Sequence, residues 1–168
     1  MAHRLPLTRH GRADPAPALR KGMMMDIRQR QSIEWECQRL IHLYANLNDE
    51  GRWHDVAALY TEDGVMVRPS APQTPVAGRE RICASFLARP ARASRHVCAN
   101  VVVSVISAEE ALAHSLILMF TGTAAGDGAL PILNEAPPLI ANFDDRLHLT
   151  TDGWRFAERR GSLCFAPR

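Results

Sequence analysis

The sequence lacks the patterns by which several classes of protein are recognised. No apolar run approaches the roughly 18 residues that a membrane span requires. H-E-x-x-H and a nucleophile elbow are absent, and Gly126-Asp127-Gly128 lacks the strand-then-helix context of a phosphate loop. The cysteines form no C-x-x-C pair and have no histidine at ligand spacing: Cys37, Cys83, Cys98 and Cys164. We therefore expect a cytoplasmic protein that needs no metal or other cofactor and does not bind membranes.

A strong excess of positive charge is confined to a short N-terminal segment. The net charge of the chain is +2, but residues 1–25 carry five basic residues and one acidic residue, which leaves −2 for the rest. The folded part thus has no net positive charge that would attract nucleic acid. We interpret residues 1–25 as a disordered basic tail or a mis-called leader, with a natural start near Met23–Met25, and residues 26–168 as one domain.

Helical spacing comes first along this domain, and strand spacing follows. A long buried helix is predicted from a stripe that ends before Gly51: Ile33, Cys37, Leu40, Ile41, Tyr44 and Leu47. Short helices are predicted over residues 53–60 and after Gly78, separated by a turn at Asp63-Gly64, a strand over residues 65–67 and an irregular loop rich in proline. Strands are predicted over residues 97–106, 111–121, 139–149 and 154–165. This segregation predicts an α+β fold with a curved sheet.

Four short motifs carry a family resemblance: Tyr44-x4-Asp49-x3-Trp53, Gly78-Arg79-Glu80, Arg95-His96-x3-Asn100 and Gly153-Trp154-Arg155. With these residues the chain resembles the SnoaL-like branch of the nuclear transport factor 2-like superfamily, which is related to scytalone dehydratase-like proteins and to small subunits of ring-hydroxylating dioxygenases. The resemblance covers about residues 27–165. It implies a cone-shaped barrel in which a strongly curved mixed or antiparallel sheet wraps around the long N-terminal helix and encloses a cavity. It also implies a homodimer formed through the sheet face.

His96 and Asp49 are the candidate catalytic residues. The resemblance places both at pocket positions, and imidazole is the group most easily tuned for proton transfer near neutral pH. A partly buried carboxylate at a helix C-terminus should have a raised pKa, which would suit a base. Two alternatives remain open. The helical wheel places Asp49 away from the apolar stripe, as for a solvated acid, and a regular strand places His96, Cys98 and Asn100 opposite an apolar face, as for a structural histidine.

Further candidates for the substrate pocket are mostly aromatic: Tyr44, Trp53, Tyr60, Phe143, Asn100 and His114. His114 shares a strand face with leucines, which predicts that it is buried, but the second histidine position of scytalone dehydratase-like enzymes could fall on Ser115 instead. Asp145 alternates with apolar residues and is expected to point inward and pair with Arg159 or Arg160.

The resemblance implies a small-molecule pocket protein. The first hypothesis is a cofactor-free lyase or isomerase that uses acid–base chemistry on a small, largely apolar cyclic or polyketide-like carbonyl compound. The alternatives are a non-catalytic ligand-binding module and a small structural subunit of an aromatic-ring-hydroxylating dioxygenase, which the run from Asp49 to Trp53 also resembles.

Overall fold

The computed structural model describes residues 25–90, 92–123 and 130–165. The predicted tail lies outside these residues except for Met25, and so does Gly126-Asp127-Gly128. In the described ranges, every helix is too short or too polar to cross a membrane.

Helix α1 spans Ile27–Asp49, and its 23 residues extend about 34 Å. Its predicted apolar stripe is buried. The helix ends in a Schellman motif, because Arg52 N donates to Leu47 O and Gly51 N donates to Asn48 O while Gly51 has a φ of 68°. This ending makes Asp49 the last helical residue and fixes where its carboxylate lies.

Two short helices pack against each other. Helix α2 spans Trp53–Ala58, and helix α3 spans Arg79–Leu87. The Trp53 ring stacks on Phe86 of α3, with a centroid distance of 5.5 Å and an interplanar angle of 10°. Arg79 holds α3 against the sheet, because its Nε and Nη2 both donate to Tyr60 O, at 2.9 and 2.7 Å. The predicted helix over residues 53–60 is confirmed but ends two residues earlier.

Seven strands form one open sheet in the described part of the chain: β1 Tyr60–Arg68, β2 Ala71–Ala77, β3 Ala93–Val105, β4 Glu110–Thr123, β5 Leu133–Asn134, β6 Leu139–Thr150 and β7 Gly153–Phe165. The order is β2-β1-β7-β6-β4-β3, and β5 pairs with β4. Strands β1 and β7 are parallel and the other pairs are antiparallel. Helix α1 packs against the inner face, mainly on β3. The predicted α+β fold with a curved, mostly antiparallel sheet around a long helix is confirmed.

The segment around β1 and β2 departs from the prediction. The proline-rich stretch, expected to be an irregular loop, contains strand β2, and Asp63-Gly64 lies inside β1 rather than in a turn. Strand β2 is an edge strand, and its Pro72 and Pro75 are exposed. A proline is tolerated at an edge because no further strand needs its missing N–H group. The prolines therefore mark an edge and not the absence of a strand.

A β-bulge at Asn100 divides β3 into two halves. Asn100 has a φ of 51°, and the pairing with β4 shifts register between Ala99 and Val102. Such an extra residue reverses the alternation of side chains from that point onward. Before the bulge, Ser94, His96 and Cys98 face inward; after it, Val101, Val103 and Val105 do. The prediction of a single apolar face from Val97 to Val105 is wrong for this reason.

A buried ion pair joins strands β6 and β7 on the inner face of the sheet. Arg159 Nη1 donates to Asp145 Oδ2 at 2.7 Å, and both side chains have no exposed surface. The guanidinium also lies over the rings of Phe143, Tyr44 and Phe156, at 4.1, 4.4 and 4.7 Å from their centroids. The predicted inward orientation of Asp145 is confirmed, and its partner is Arg159.

Candidate active site

Asp49 is held at the junction between the end of α1 and the start of β3. Its Oδ2 accepts a hydrogen bond from the backbone N–H of His96 at 2.8 Å. Its Oδ1 lies 2.5 Å from His96 Nδ1 and accepts from Ser94 Oγ at 3.1 Å. The exposed Arg95 approaches Oδ2 at 3.9 Å, while the Asp49 side chain itself is 1% exposed. The interpretation of Asp49 as a solvated acid is therefore wrong.

The hydrogen bonds determine the charge of Asp49. Burial by itself raises the pKa of this carboxyl, but the side-chain and backbone hydrogen bonds from His96, the attraction to its imidazole and the bond from Ser94 together hold the pKa below the ordinary 3.8. The expected raised pKa of Asp49 is wrong, because the sequence did not show how many donors would surround the carboxylate. Asp49 is thus ionised at neutral pH and is suited to orient a neighbour rather than to take a proton from a substrate.

The ionised carboxylate selects one tautomer of the His96 ring. A carboxylate accepts hydrogen bonds and cannot donate them, so the short contact requires a proton on His96 Nδ1. In the neutral ring, Nε2 then carries the lone pair, which is the form that a general base needs. His96 is largely buried, with 15% of its side chain exposed, and it lines the main cavity.

The cavity lies between α1, the α3–β3 connection and the inner face of the sheet, and has a volume of about 310 Å³. Most of its wall is apolar, including Tyr44, Trp53, Ile117, Ala141, Phe143 and Leu163. The volume is sufficient for a small cyclic molecule. Arg68, Arg89 and Arg92 also line it.

Four of the predicted site residues line this cavity: His96, Tyr44, Trp53 and Phe143. Tyr60 lies elsewhere, because its ring is fully buried in the core against Tyr44 and Phe156, at centroid distances of 6.2 and 5.3 Å. Asn100 also lies elsewhere, because the bulge turns it outward and leaves it exposed. The pocket assignments of Tyr60 and Asn100 are therefore corrected.

His114 lies on the opposite face of the sheet from the cavity. Its side chain is 49% exposed, and Nδ1 contacts Asp144 Oδ1 at 2.8 Å. The inward-facing residues of β4 are instead odd-numbered, and Ser115 among them is fully buried. Leucines on the outer face of β4 made that face resemble a core face in the sequence. The prediction that His114 is buried in the pocket is wrong.

Sequence reasoning missed Ser94 and the three arginines of the cavity. Ser94 precedes His96 by two residues on a strand, so strand alternation could have placed both on one face. The arginines come from two separate segments, and no local pattern signals that they meet. The described parts of the chain contain no group of three or more histidine, cysteine, aspartate or glutamate residues that could hold a metal ion.

The sequence model of the SnoaL-like domain family matches residues 29–160. The chain belongs to the SnoaL-like family. Its fold is shared with solved structures at low sequence identity. A candidate scytalone dehydratase from Novosphingobium aromaticivorans is 18% identical, with a TM-score of 0.68 over 85% of this chain and 94% of the other. A hexachlorocyclohexane dehydrochlorinase, LinA type 2, is 14% identical, with a TM-score of 0.69 over 83% of this chain and 90% of the other.

A candidate aromatic ring hydroxylase from Novosphingobium aromaticivorans shares the SnoaL-like fold as well. It is 18% identical, with a TM-score of 0.65 over 80% of this chain and 91% of the other. No curated protein sequence matches the chain. At these identities the comparisons establish the fold, and the reaction has to be argued from the cavity itself.

Proposed function

We propose that this SnoaL-like protein is a cofactor-free lyase or isomerase that removes a proton next to the carbonyl group of a cyclic or polyketide-like substrate. One observation carries the proposal: a histidine in the wall of an apolar cavity is fixed by a buried, ionised carboxylate. An imidazole held in this way is a preorganised base.

In the proposed reaction, His96 Nε2 accepts the proton from the carbon beside the carbonyl. The C–H bond breaks, its electron pair forms a C=C bond to the carbonyl carbon, and the C=O π pair moves onto the oxygen to give an enolate. In a lyase, the C=O bond forms again, the C=C pair shifts to form a new C=C bond with the next carbon, and the leaving group departs from that carbon with its bonding pair and takes the proton of the imidazolium. In an isomerase, the enolate is conjugated with a further C=C bond, and the far carbon of that bond takes the proton back. Asp49 keeps its negative charge and stabilises the imidazolium, as in other carboxylate–histidine pairs.

One finding supports the proposed substrate class, and a second supports an elimination reaction. The apolar wall formed by residues such as Ile117 and Phe143 matches a largely hydrocarbon substrate. The structures named as a dehydratase and a dehydrochlorinase share this fold, and both names describe eliminations.

Proton abstraction can be measured without knowing the natural substrate. We expect the protein to accelerate exchange of the protons beside the carbonyl of 2-tetralone in D₂O, followed by NMR. His96→Ala should reduce the exchange to the buffer rate, with circular dichroism and the melting temperature showing that the variant is still folded at the assay temperature. The matched control is His114→Ala, which removes the histidine of the exposed pair with Asp144 and should leave exchange unchanged.

Two outcomes would contradict the proposal. Full exchange by His96→Ala would remove this residue from the chemistry. Exchange no faster than in buffer for tetralones, indanones and cyclohexenones would favour a binding module without turnover.

We also propose that the protein forms a homodimer through the outer face of the sheet. Val97, Val102 and Leu112 are 47%, 61% and 41% exposed on this face, and adjacent exposed apolar residues commonly mark interfaces. Val102→Asp should convert the dimer to a monomer in light scattering after size exclusion. A monomer before the substitution would disprove the dimer, and copurification with an iron–sulfur protein would favour a dioxygenase subunit instead.

A further inference from the structure

Three arginines line the cavity close enough to one another for their charges to interact. Arg68 lies at the end of β1, and Arg89 and Arg92 lie in the connection from α3 to β3. We call these three residues the arginine cluster. Among the described residues that line the cavity, none is acidic. The nearby Asp49 is not a lining residue, and its oxygens accept hydrogen bonds from His96.

Within the described residues, no member of the arginine cluster pairs with a carboxylate. Arg68 donates from Nη2 to Ser85 O at 2.7 Å, and its Nε is buried without a hydrogen-bond partner. The Arg89 guanidinium lies over the rings of Phe86 and Trp53, at 4.0 and 5.9 Å. Arg92 contacts Met119 Sδ at 4.0 Å. By contrast, the buried Arg159 in the core has its own aspartate.

The electrostatics of Arg89 show that these cations act on one another. Burial is the main cause that lowers its pKa; the Tyr44 hydroxyl opposes this effect, and the positive charges of Arg68 and Arg92 lower the pKa further. A group of like charges at a partly enclosed site is unfavourable until an anion joins it. A guanidinium group also presents its donors in a planar fork that can bind carboxylate or phosphate oxygens with two parallel hydrogen bonds.

We propose that the cavity takes a substrate with an anionic oxygen group, a carboxylate or a phosphate, which the arginine cluster holds while the apolar body of the substrate packs against Phe143 and Ile117. This inference builds on the proton abstraction proposed for His96 and replaces the expected apolar substrate with an amphipathic anion. The cluster would fix which end of the molecule reaches the histidine.

Binding can be tested separately from turnover with probes that share one ring system. Calorimetry should show that 2-naphthoate or 2-naphthyl phosphate binds at least about tenfold more tightly than the uncharged 2-naphthamide, a difference expected of charge-assisted hydrogen bonds. Added salt should weaken the binding of the two anions and leave the affinity for the amide unchanged. The better of the two anions identifies the class of the natural group.

The variants separate the arginine cluster from a general effect of charge. Arg92 is exposed, so the Arg92→Gln variant should fold normally. Its affinity for the preferred anion should be about threefold to fivefold lower, with little change in the affinity for 2-naphthamide. Arg146→Gln removes the same charge from the outer face of the sheet and should change nothing. Equal affinity for anion and amide, equal losses in the two variants, or no binding of either anion at millimolar concentration would overturn the proposal.

His96→Ala makes the two proposals distinguishable. If the anion site exists, this variant should bind the preferred anion as before even though proton exchange is lost. Normal exchange of 2-tetralone together with no preference for anions would leave the reaction standing and remove the anion site. A preference for anions without any proton exchange would leave the anion site standing and remove the proposed reaction.

Discussion

Two buried aspartates on the inner side of the sheet have pKa values that are shifted in opposite directions. Asp49, beside the cavity, accepts hydrogen bonds from a backbone amide, an imidazole and a hydroxyl, and its pKa falls below 3.8. Asp145, in the core, has one bond from Arg159, and its Oδ1 has no partner among the described residues. Burial raises the pKa of Asp145 to about 7, even though Arg159 acts in the other direction.

The comparison shows that several hydrogen bonds hold the buried Asp49 carboxylate ionised, whereas the single cation beside Asp145 does not offset the effect of burial on its pKa. Asp145 faces a full positive charge at 2.7 Å and still has the higher pKa. Desolvation of a charged group is costly, and one hydrogen bond offsets only part of that cost. Asp49 is an ionised acceptor that fixes the neighbouring imidazole, whereas Asp145 belongs to the packing of the core.

The largest effect should come from changing the donor pattern at the cavity. An amide at position 49 can donate to His96 Nδ1 and so select the tautomer with its proton on Nε2, which cannot act as a base. Asp49→Asn should therefore slow 2-tetralone exchange about 10³-fold, equivalent to about 4 kcal/mol of barrier. Asp144→Asn alters the exposed pair with His114 and should leave the rate unchanged. A variant at position 49 that keeps half of the activity would mean that the carboxylate does not orient the ring.

The next largest effect concerns stability. Arg159→Met removes the single donor of Asp145 and the cation that lies over Tyr44 and Phe143. Breaking a buried pair from one side should lower the free energy of unfolding by about 3 kcal/mol, measured by urea denaturation. Arg160→Met, at the exposed neighbouring position, provides the control. A loss below about 1 kcal/mol would show that the core does not depend on the pair.

Asp145 should also make stability depend on pH. Its pKa is about 7 in the folded protein and near 3.8 in the unfolded chain, so the folded state binds more protons between these values. Stability therefore falls as the pH rises through this window, by up to about 1.4 kcal/mol for each pH unit. Asp145→Asn should remove this slope while the pH response of proton exchange at the cavity stays the same. An unchanged slope of stability would show that Asp145 does not titrate in the window.

The smallest effect tests one donor at Asp49. Ser94→Ala removes the hydroxyl bond and should raise the pKa of Asp49 toward its ordinary value. Because a lowered folded pKa gives stability above about pH 4 that is lost on acidification, this variant should unfold at a slightly higher pH and lose about 1 kcal/mol at neutral pH. Ser104→Ala, on the exposed side of β3, is the matched control. Identical acid unfolding of both variants would contradict the donor argument.

The sequence was sufficient where one periodicity governed a whole element. The stripe on α1 predicted the helix and its buried face, and the run of later strands predicted the α+β sheet. Prediction failed where a single residue changed the phase, as Asn100 does in β3, or where both faces of a strand carry apolar residues, as around His114. The arginine cluster could not be predicted, because residues 68, 89 and 92 are brought together by the fold and by no local pattern.

The bulge at Asn100 makes β3 two separately phased half-strands on one backbone. Val101, Val103 and Val105 anchor the strand in the core, while Ser94 and His96 line the cavity. Substitutions at the inward positions of the first half can therefore alter the cavity without disturbing the anchor. Loss of one residue at the bulge would rotate one half relative to the other, and the imidazole could then face the cavity only if the anchoring valines faced water.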